Sequence, residues 1–189
     1  KLKVNNITVK GYTDSYIELK WTPVSGAEGY RIYQKFGSKW KCVATVKGEK
    51  ATVGKVRNLS AGKKYSLNVK AYKYDSNGKL HTSSCNSPIT AATRPSTPGM
   101  RTLKTTPGKA TATWAKVNGA DGYMVYMAKG QNSTNFKRIA TISGNGKLTY
   151  SATNLKKGDF CYVAVRSFIK TSDGYALSKM SQAKYVVIK

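Results

Sequence analysis

The chain has 189 residues, of which 33 are Lys or Arg and 8 are Asp or Glu, so its formal net charge is +25. Eight acids and one histidine are few for chemistry that pairs ionisable groups, so we expect no enzyme activity. No apolar run approaches the roughly 18 residues of a membrane-spanning helix, so we expect no membrane insertion.

The predicted elements are strands, because apolar and polar residues alternate with a period of two. Clear examples in chain order are residues 16–21, 65–71 and 110–114, and no segment has the periodicity of a helix. Clusters such as Ser76-Asn77-Gly78 separate the apolar segments and are typical of turns between antiparallel strands. About seven strands in roughly 95 residues predict a β-sandwich.

An internal repeat divides the chain into two similar halves. The segment 21–33, WTPVSGAEGYRIY, returns 93 positions later at 114–126 as WAKVNGADGYMVY. The segment 40–48 then aligns with 136–144 at an offset of 96. A repeat of this length predicts two complete domains, which we place at residues 1–93 and 99–189, joined by a Pro-containing linker at 94–98.

Each half resembles a fibronectin type III module of the kind found in tandem in secreted and surface proteins of Gram-positive gut bacteria. Trp21 and Trp114 match the family's core tryptophan on strand B, and Tyr30 and Tyr123 open strand C. Tyr65 stands at the tyrosine-corner position before strand F. The resemblance implies two seven-stranded, immunoglobulin-like β-sandwiches in tandem.

The second half departs from this pattern at the corner, where Cys161 replaces the tyrosine. Cysteine lacks the hydroxyl that pins this turn to the backbone. The turn is therefore expected either to be looser or to be held by packing of Phe160 or Tyr162.

Three cysteines, Cys42, Cys85 and Cys161, have no cysteine at the equivalent position of the other half. The repeat therefore encodes no common disulfide or metal cage. Free thiols are favoured over a single Cys42–Cys85 disulfide, which the spacing also allows.

The ionisable residues do not suggest a catalytic or metal site. His81 has Leu177 as its repeat partner and no Cys, Asp or Glu at metal-ligand spacing, so a satisfied or exposed loop histidine is favoured. Glu28 and Asp121 occupy the same repeat position. We expect no catalytic residues, metal or cofactor.

One face of the predicted C and F strands mixes cations with aromatic rings, which can stack on sugars or bases and pair with phosphate or sulfate. By alternation, and counting both halves together, five side chains on strand C and five on strand F are expected to point outward. Met124 is one of the five on strand C. The candidate polyanion- or glycan-binding residues are Arg31, Tyr33, Lys35, Lys70, Tyr72, Tyr126, Tyr162, Arg166 and Phe168. Alternatively, these pairs only stabilise the sheet. Trp40 and Phe136, which begin the following strand, are expected to pack at the sheet edge.

We expect a non-catalytic spacer and adhesion module that is extracellular or attached to the cell wall. Residues 1–93 carry a net charge of +12 and the remainder +13, so attraction to polyanions belongs to both halves. Possible partners are anionic wall polymers, host glycans and surface proteins, with nucleic acid bound only non-specifically and the chain monomeric. The alternatives are a specific binder of teichoic acid, sulfated glycan or nucleic acid, and an accessory module of a polysaccharide- or peptidoglycan-degrading enzyme.

Overall fold

The computed structural model describes residues 2–84 and 87–189, and within these ranges every regular element is a β-strand. The chain divides into two compact units. Unit 1 comprises Lys1–Arg94 with Lys170–Ala176, and unit 2 comprises Pro95–Ile169 with Leu177–Lys189.

The strands of the first repeat form two antiparallel sheets. The order of the smaller sheet is β1-β2-β5, and that of the larger is β4-β3-β6-β7, with β8 also paired to β6. The strands are β1 (Thr8–Tyr12), β2 (Ile17–Lys20), β3 (Gly29–Phe36), β4 (Lys39–Lys47), β5 (Val53–Val56), β6 (Lys64–Tyr74), β7 (Leu80–Thr82) and β8 (Ile89–Ala92).

The second repeat has the same topology. Its sheets have the orders β13-β10-β9 and β12-β11-β14-β15, with β16 also paired to β14. The strands are β9 (Met100–Thr106), β10 (Lys109–Trp114), β11 (Gly122–Lys129), β12 (Lys137–Ser143), β13 (Thr149–Ala152), β14 (Phe160–Thr171), β15 (Gly174–Leu177) and β16 (Lys184–Val187). The predicted all-β class is thus confirmed, and the last strand of each sandwich is interrupted, so that β7 with β8 and β15 with β16 each stand for one strand.

Serine hydroxyls replace backbone groups where the last strand is interrupted. Ala71 N–H donates to Ser83 Oγ at 3.2 Å, and Val165 N–H donates to Ser181 Oγ at 2.9 Å. Buried amides need such partners because an unpaired one costs about 1–3 kcal/mol. The interruption therefore leaves these two amides of β6 and β14 satisfied.

Each sandwich closes around its own tryptophan and tyrosine. The rings of Trp21 and Tyr30 are 5.2 Å apart at an interplanar angle of 52°, and those of Trp114 and Tyr123 are 5.5 Å apart at 57°. Tyr30 Oη donates to the Glu49 carbonyl at 2.6 Å, which ties the core to the surface loops. Tilted aromatic pairs contribute about 0.5–1.5 kcal/mol beyond their buried area. The repeated motif is therefore first of all a core motif.

The corner before β6 is held by the predicted tyrosine. Tyr65 Oη accepts a hydrogen bond from Ser60 N–H at 2.8 Å and lies 3.2 Å from the Ser60 carbonyl, to which it donates. In the second repeat, the Asp159 carboxylate accepts from Lys156 N–H at 3.3 Å, and Gly158 N–H donates to the Ile188 carbonyl at 2.9 Å. The Gly158 bond has an equivalent in the first repeat, from Gly62 N–H to the Arg94 carbonyl at 3.1 Å, so the Asp159 carboxylate bond is the feature that distinguishes the second corner. The looser turn and the packing of Phe160 or Tyr162 stay predictions.

The thiols of Cys42 and Cys161 are free, the first exposed and the second buried. Burial raises the pKa of the Cys161 thiol. Cys85, the partner in the alternative disulfide, lies outside the described residues.

Candidate binding surfaces

The outward side of β3 and β6 in unit 1, here called the cationic face, contains Arg31, Tyr33, Lys35, Lys70 and Tyr72. Arg31 and Lys70 are direct partners in the antiparallel register. Like charges in that position repel each other. Each cation instead lies over an aromatic ring on the diagonal, Arg31 over Tyr72 at 5.4 Å and Lys70 over Tyr33 at 5.2 Å. The two cation–π contacts offset part of the repulsion.

Arg31 is only partly satisfied. One of its terminal nitrogens donates to Tyr74 Oη at 3.4 Å, whereas its Nε is buried without a hydrogen-bond partner among the described residues. Desolvation by burial lowers the pKa of Arg31, but the hydrogen bond with Tyr33 and the proximity of Tyr74 outweigh it, so the pKa lies above its ordinary value. Arg31 is therefore a permanent cation with unused hydrogen-bonding capacity.

Two aromatic rings of the predicted set are covered. Tyr72 is 5% exposed because it lies over Gly29, where an added Cβ would meet the ring at 2.8 Å and would also meet the Val46 carbonyl oxygen. Phe168 is fully buried over Gly122 in the same way. Because Gly29 and Gly122, at the start of β3 and β11, have no Cβ, there is space for each ring. The faces of these two rings are not available to stack on a ligand.

The outward side of the second repeat differs in charge. Met124 stands at the position of Arg31 and is 1% exposed, because Tyr126 Oη and Arg138 Nη1 both donate to its sulfur at 3.7 Å. The expected alternation places Met124 on the outer side of the sheet, but these side chains cover it. Arg166 lies over Tyr126 at 5.7 Å. The pair of opposed cations is therefore found only in unit 1 of the described chain.

The remaining predicted residues lie at the margins of these faces. Lys35 is exposed and pairs in register with Trp40, which is half-buried. Phe136 is also half-buried and precedes β12. The ring of Tyr162 packs against the ring of Tyr185, with the two centroids 5.5 Å apart. The structure thus brings Arg31, Tyr33, Lys70 and Tyr72 together in unit 1 and leaves the others around their margins or in unit 2.

His81 has a partner that the sequence spacing did not indicate. It lies on β7, and its Nε2 is 2.8 Å from Asp75 Oδ2. This hydrogen bond, followed by bonds from the backbone N–H of Lys79 and Asn77, lowers the pKa of Asp75. The pair is solvent-exposed. No group of three or more His, Cys, Asp or Glu within residues 2–84 and 87–189 could hold a metal ion.

A cleft of about 420 Å³ lies at one end of unit 1 and includes Gln34, Phe36, Val43 and Tyr65. We call it the Gln34 cleft. A smaller cleft of about 270 Å³ in unit 2 is lined by the equivalent residues Met127, Lys129 and Ile139 together with their neighbours. These clefts were not predicted from the sequence, although Gln34, a polar residue at an inward position of β3, was a signal for the first of them.

No helix among the described residues has the length and apolar character needed to traverse a lipid bilayer.

Comparisons with known proteins agree with the fold. A search of curated proteins finds no match. The FN1–FN3 domains of chicken CNTN1 superpose with a TM-score of 0.58 at 20% identity, covering 98% of this chain and 66% of that structure, so this chain spans just under two thirds of it. A segment of two fibronectin type III domains from chicken tenascin gives a TM-score of 0.47 at 21% identity and 99% coverage of both chains. The family model "Fibronectin type III domain" matches residues 2–84, and the chain as a whole has the fold of two such sandwiches in tandem.

Proposed function

We propose that the chain is a non-catalytic tandem segment of a secreted or wall-attached bacterial protein, in which it serves as a spacer and adhesion-type interaction module. The observation that carries this proposal is that the repeated motifs are used for folding. Trp21 and Trp114, with Tyr30 and Tyr123, lie inside their sandwiches at 5% exposure or less. What remains for function is the surface, which is strongly basic.

The distribution of perturbed ionisable groups also favours a module without chemistry. Arg31, Asp75 and Cys161 have pKa values displaced from their ordinary values, yet they lie on β3, after β6 and on β14. Catalytic sites bring such groups together in one cleft. Fibronectin type III domains are generally non-catalytic modules, which supports the same proposal.

Retention on bacterial walls tests this proposal. Beads carrying the chain are passed over purified Gram-positive cell walls, beside beads carrying the double variant Trp21→Ala/Trp114→Ala. The variant keeps the net charge but loses both core rings, so we expect only the intact chain to be retained at about 0.15 M salt. Equal retention would reduce the function to bulk charge. Release of soluble sugars or peptides from the walls by the intact chain would show enzyme activity and contradict the proposal of a non-catalytic module.

A second candidate function, recognition of a polyanion by the cationic face, is favoured by the opposition of Arg31 and Lys70. An oxyanion between the two cations would relieve their repulsion and accept charge-assisted hydrogen bonds. Sulfated glycan, teichoic acid and nucleic acid all supply such a group.

Heparin binding at two salt concentrations distinguishes this candidate from attraction by the bulk charge. The variant Arg31→Ala/Lys70→Ala is compared with Lys47→Ala/Lys50→Ala, which removes the same charge from two exposed positions elsewhere in unit 1. If the face is a site, only the first variant loses affinity at about 0.15 M salt, and its salt dependence falls by about two released counterions. Equal losses in both variants would leave only the bulk field.

A further inference from the structure

Gln34 is a largely buried polar side chain that lines a cleft. It lies on β3, is 7% exposed and lines the Gln34 cleft. A buried amide usually has its donors and acceptor satisfied, and one that opens into a cleft can satisfy them with a ligand.

The wall of the cleft beside Gln34 is apolar and accessible. Phe36 is 46% exposed and Val43 is 37% exposed, which is high for residues on adjacent strands. Val43 is the extra residue of an irregularity in the pairing of β3 with β4, since Ile32 pairs with Ala44 and Tyr33 with Cys42. An extra residue of this kind changes the direction of its side chain. Here it adds an apolar group to the cleft.

Two cations lie beside this apolar wall. Arg57 lines the cleft, and the Lys41 ammonium lies 5.6 Å from the centre of the Phe36 ring. Acidic residues are absent from the lining of the cleft within the described part of the chain. The electrostatic complement of the cleft is therefore a ligand that carries carboxylates on either side of an apolar group.

The strand that borders the cleft has an unpaired edge. Among the described strands, β4 pairs with β3 alone, so its other edge presents N–H and C=O groups to solvent. Lys39, Lys41 and Lys47 lie along this strand. Lysines on an edge repel a second copy of a chain with a net charge of +25, and they attract an acidic segment. The edge therefore selects its occupant by charge.

The second repeat provides an internal comparison. Met127 stands at the position of Gln34 and belongs to the core of unit 2, while Lys129 replaces Phe36 and Thr153 replaces Arg57. The smaller cleft of unit 2 therefore lacks the aromatic ring and the guanidinium, and the amide in its lining belongs to Asn135, which precedes β12 and does not lie on the strand equivalent to β3.

We propose that unit 1 binds an extended acidic peptide that adds as a strand to the free edge of β4 and inserts one apolar side chain into the Gln34 cleft. The backbone of the peptide pairs with β4, as in other cases of strand addition. Arg57 and Lys41 receive the carboxylates two residues before and after the apolar one, because alternate side chains share a face. The Gln34 amide donates to the carboxylate held by Lys41, its direct partner in the register of β3 with β4. This inference deepens the proposed interaction role.

The test uses the full chain and a capped peptide, Glu-Glu-Leu-Glu-Glu, followed by amide chemical shifts. The matched peptide has Ala in place of Leu and the same charge. We expect shifts concentrated in β3, β4 and residues 56–60, and affinity for the Leu peptide about ten-fold higher, since the additional methylene groups are buried. Shifts spread over both units, or equal affinity for the two peptides, would overturn the proposal.

Variants taken from the second repeat test the individual contacts. Gln34→Met and Arg57→Thr introduce the residues that unit 2 carries at these positions, so both are compatible with the fold. Each substitution is expected to lower the affinity for the Leu peptide about ten-fold, because each removes a hydrogen bond to a carboxylate of the peptide. Lys50→Thr removes one charge from an exposed position elsewhere and should change affinity less than two-fold. Equal effects of Arg57→Thr and Lys50→Thr, or no effect of Gln34→Met, would refute the cleft. If the chain does not bind the peptide but is retained on bacterial walls, the peptide site is refuted and the proposed function still stands.

Discussion

Replacing Trp114 by Ala should unfold the second sandwich at a much lower temperature. Trp114 is fully buried and packs on Tyr123 with the ring centroids 5.5 Å apart. A buried tryptophan removes up to about 250 Å² from water, which is worth about 6 kcal/mol at 25 cal/mol per Å². Its indole N–H is buried without a partner among the described residues, a cost of about 1–3 kcal/mol that Ala removes. The net loss is then about 3–5 kcal/mol, within the range for large-to-small aromatic substitutions.

This loss is a large fraction of the total stability of a small domain, which is about 5–15 kcal/mol. The midpoint of unit 2 should fall by roughly 15–30 °C. Amide signals of β10 and β11, followed with temperature, report on unit 2, and those of β2 and β3 serve as the internal control. Trp114→Phe keeps a ring and removes the unpaired N–H, so it should cost less than Trp114→Ala. Unchanged melting of β10 in Trp114→Ala, or simultaneous loss of the β2 signals, would refute the account of two independent cores.

Three further predictions concern single contacts. Gly29→Ala should destabilise unit 1 by about 1–3 kcal/mol in urea titrations, because the new methyl group meets the Tyr72 ring and backbone; an unchanged midpoint would contradict this packing. Tyr65→Phe should cost about 0.5–1.5 kcal/mol by the same assay, since Ser60 N–H and C=O lose their partner at the surface; a cost near zero would mean that water replaces the hydroxyl. Folded protein treated with iodoacetamide should be alkylated at Cys42 while Cys161 reacts only after unfolding, as peptide mass spectrometry can follow, because burial raises the pKa of the Cys161 thiol; equal rates would argue against that burial.

Most of the fold could be predicted from the sequence because its determinants are local or repeated. Alternation of apolar and polar residues indicated strands, and the recurrence of Trp21-to-Tyr33 at 114–126 indicated two similar sandwiches. Tyr65 was predicted at its corner, where its hydroxyl bonds Ser60. Patterns of this kind depend on the period of the backbone and on residues close in sequence, so a single chain suffices to find them.

The candidate site could be predicted only in part. Alternation placed Arg31, Tyr33, Lys70 and Tyr72 on one side of a sheet, and the structure does bring these four together. Alternation alone could not predict that Tyr72 would be covered by its position over Gly29. Exposure depends on what the neighbouring strand carries opposite each residue, and therefore on register.

Register and closure were decided by the tertiary structure alone. The pairing of Arg31 with Lys70 joins residues 39 positions apart, and the His81–Asp75 contact depends on how one hairpin closes. The Gln34 cleft exists because β3 and β4 extend their inner faces at one end of the sandwich, beside residues 57–60 and Tyr65. The sequence by itself determined that this chain makes two basic β-sandwiches. Which charges oppose one another, which rings are covered and where a buried amide opens to solvent were determined by long-range packing, because those properties belong to pairs of strands and not to any one segment.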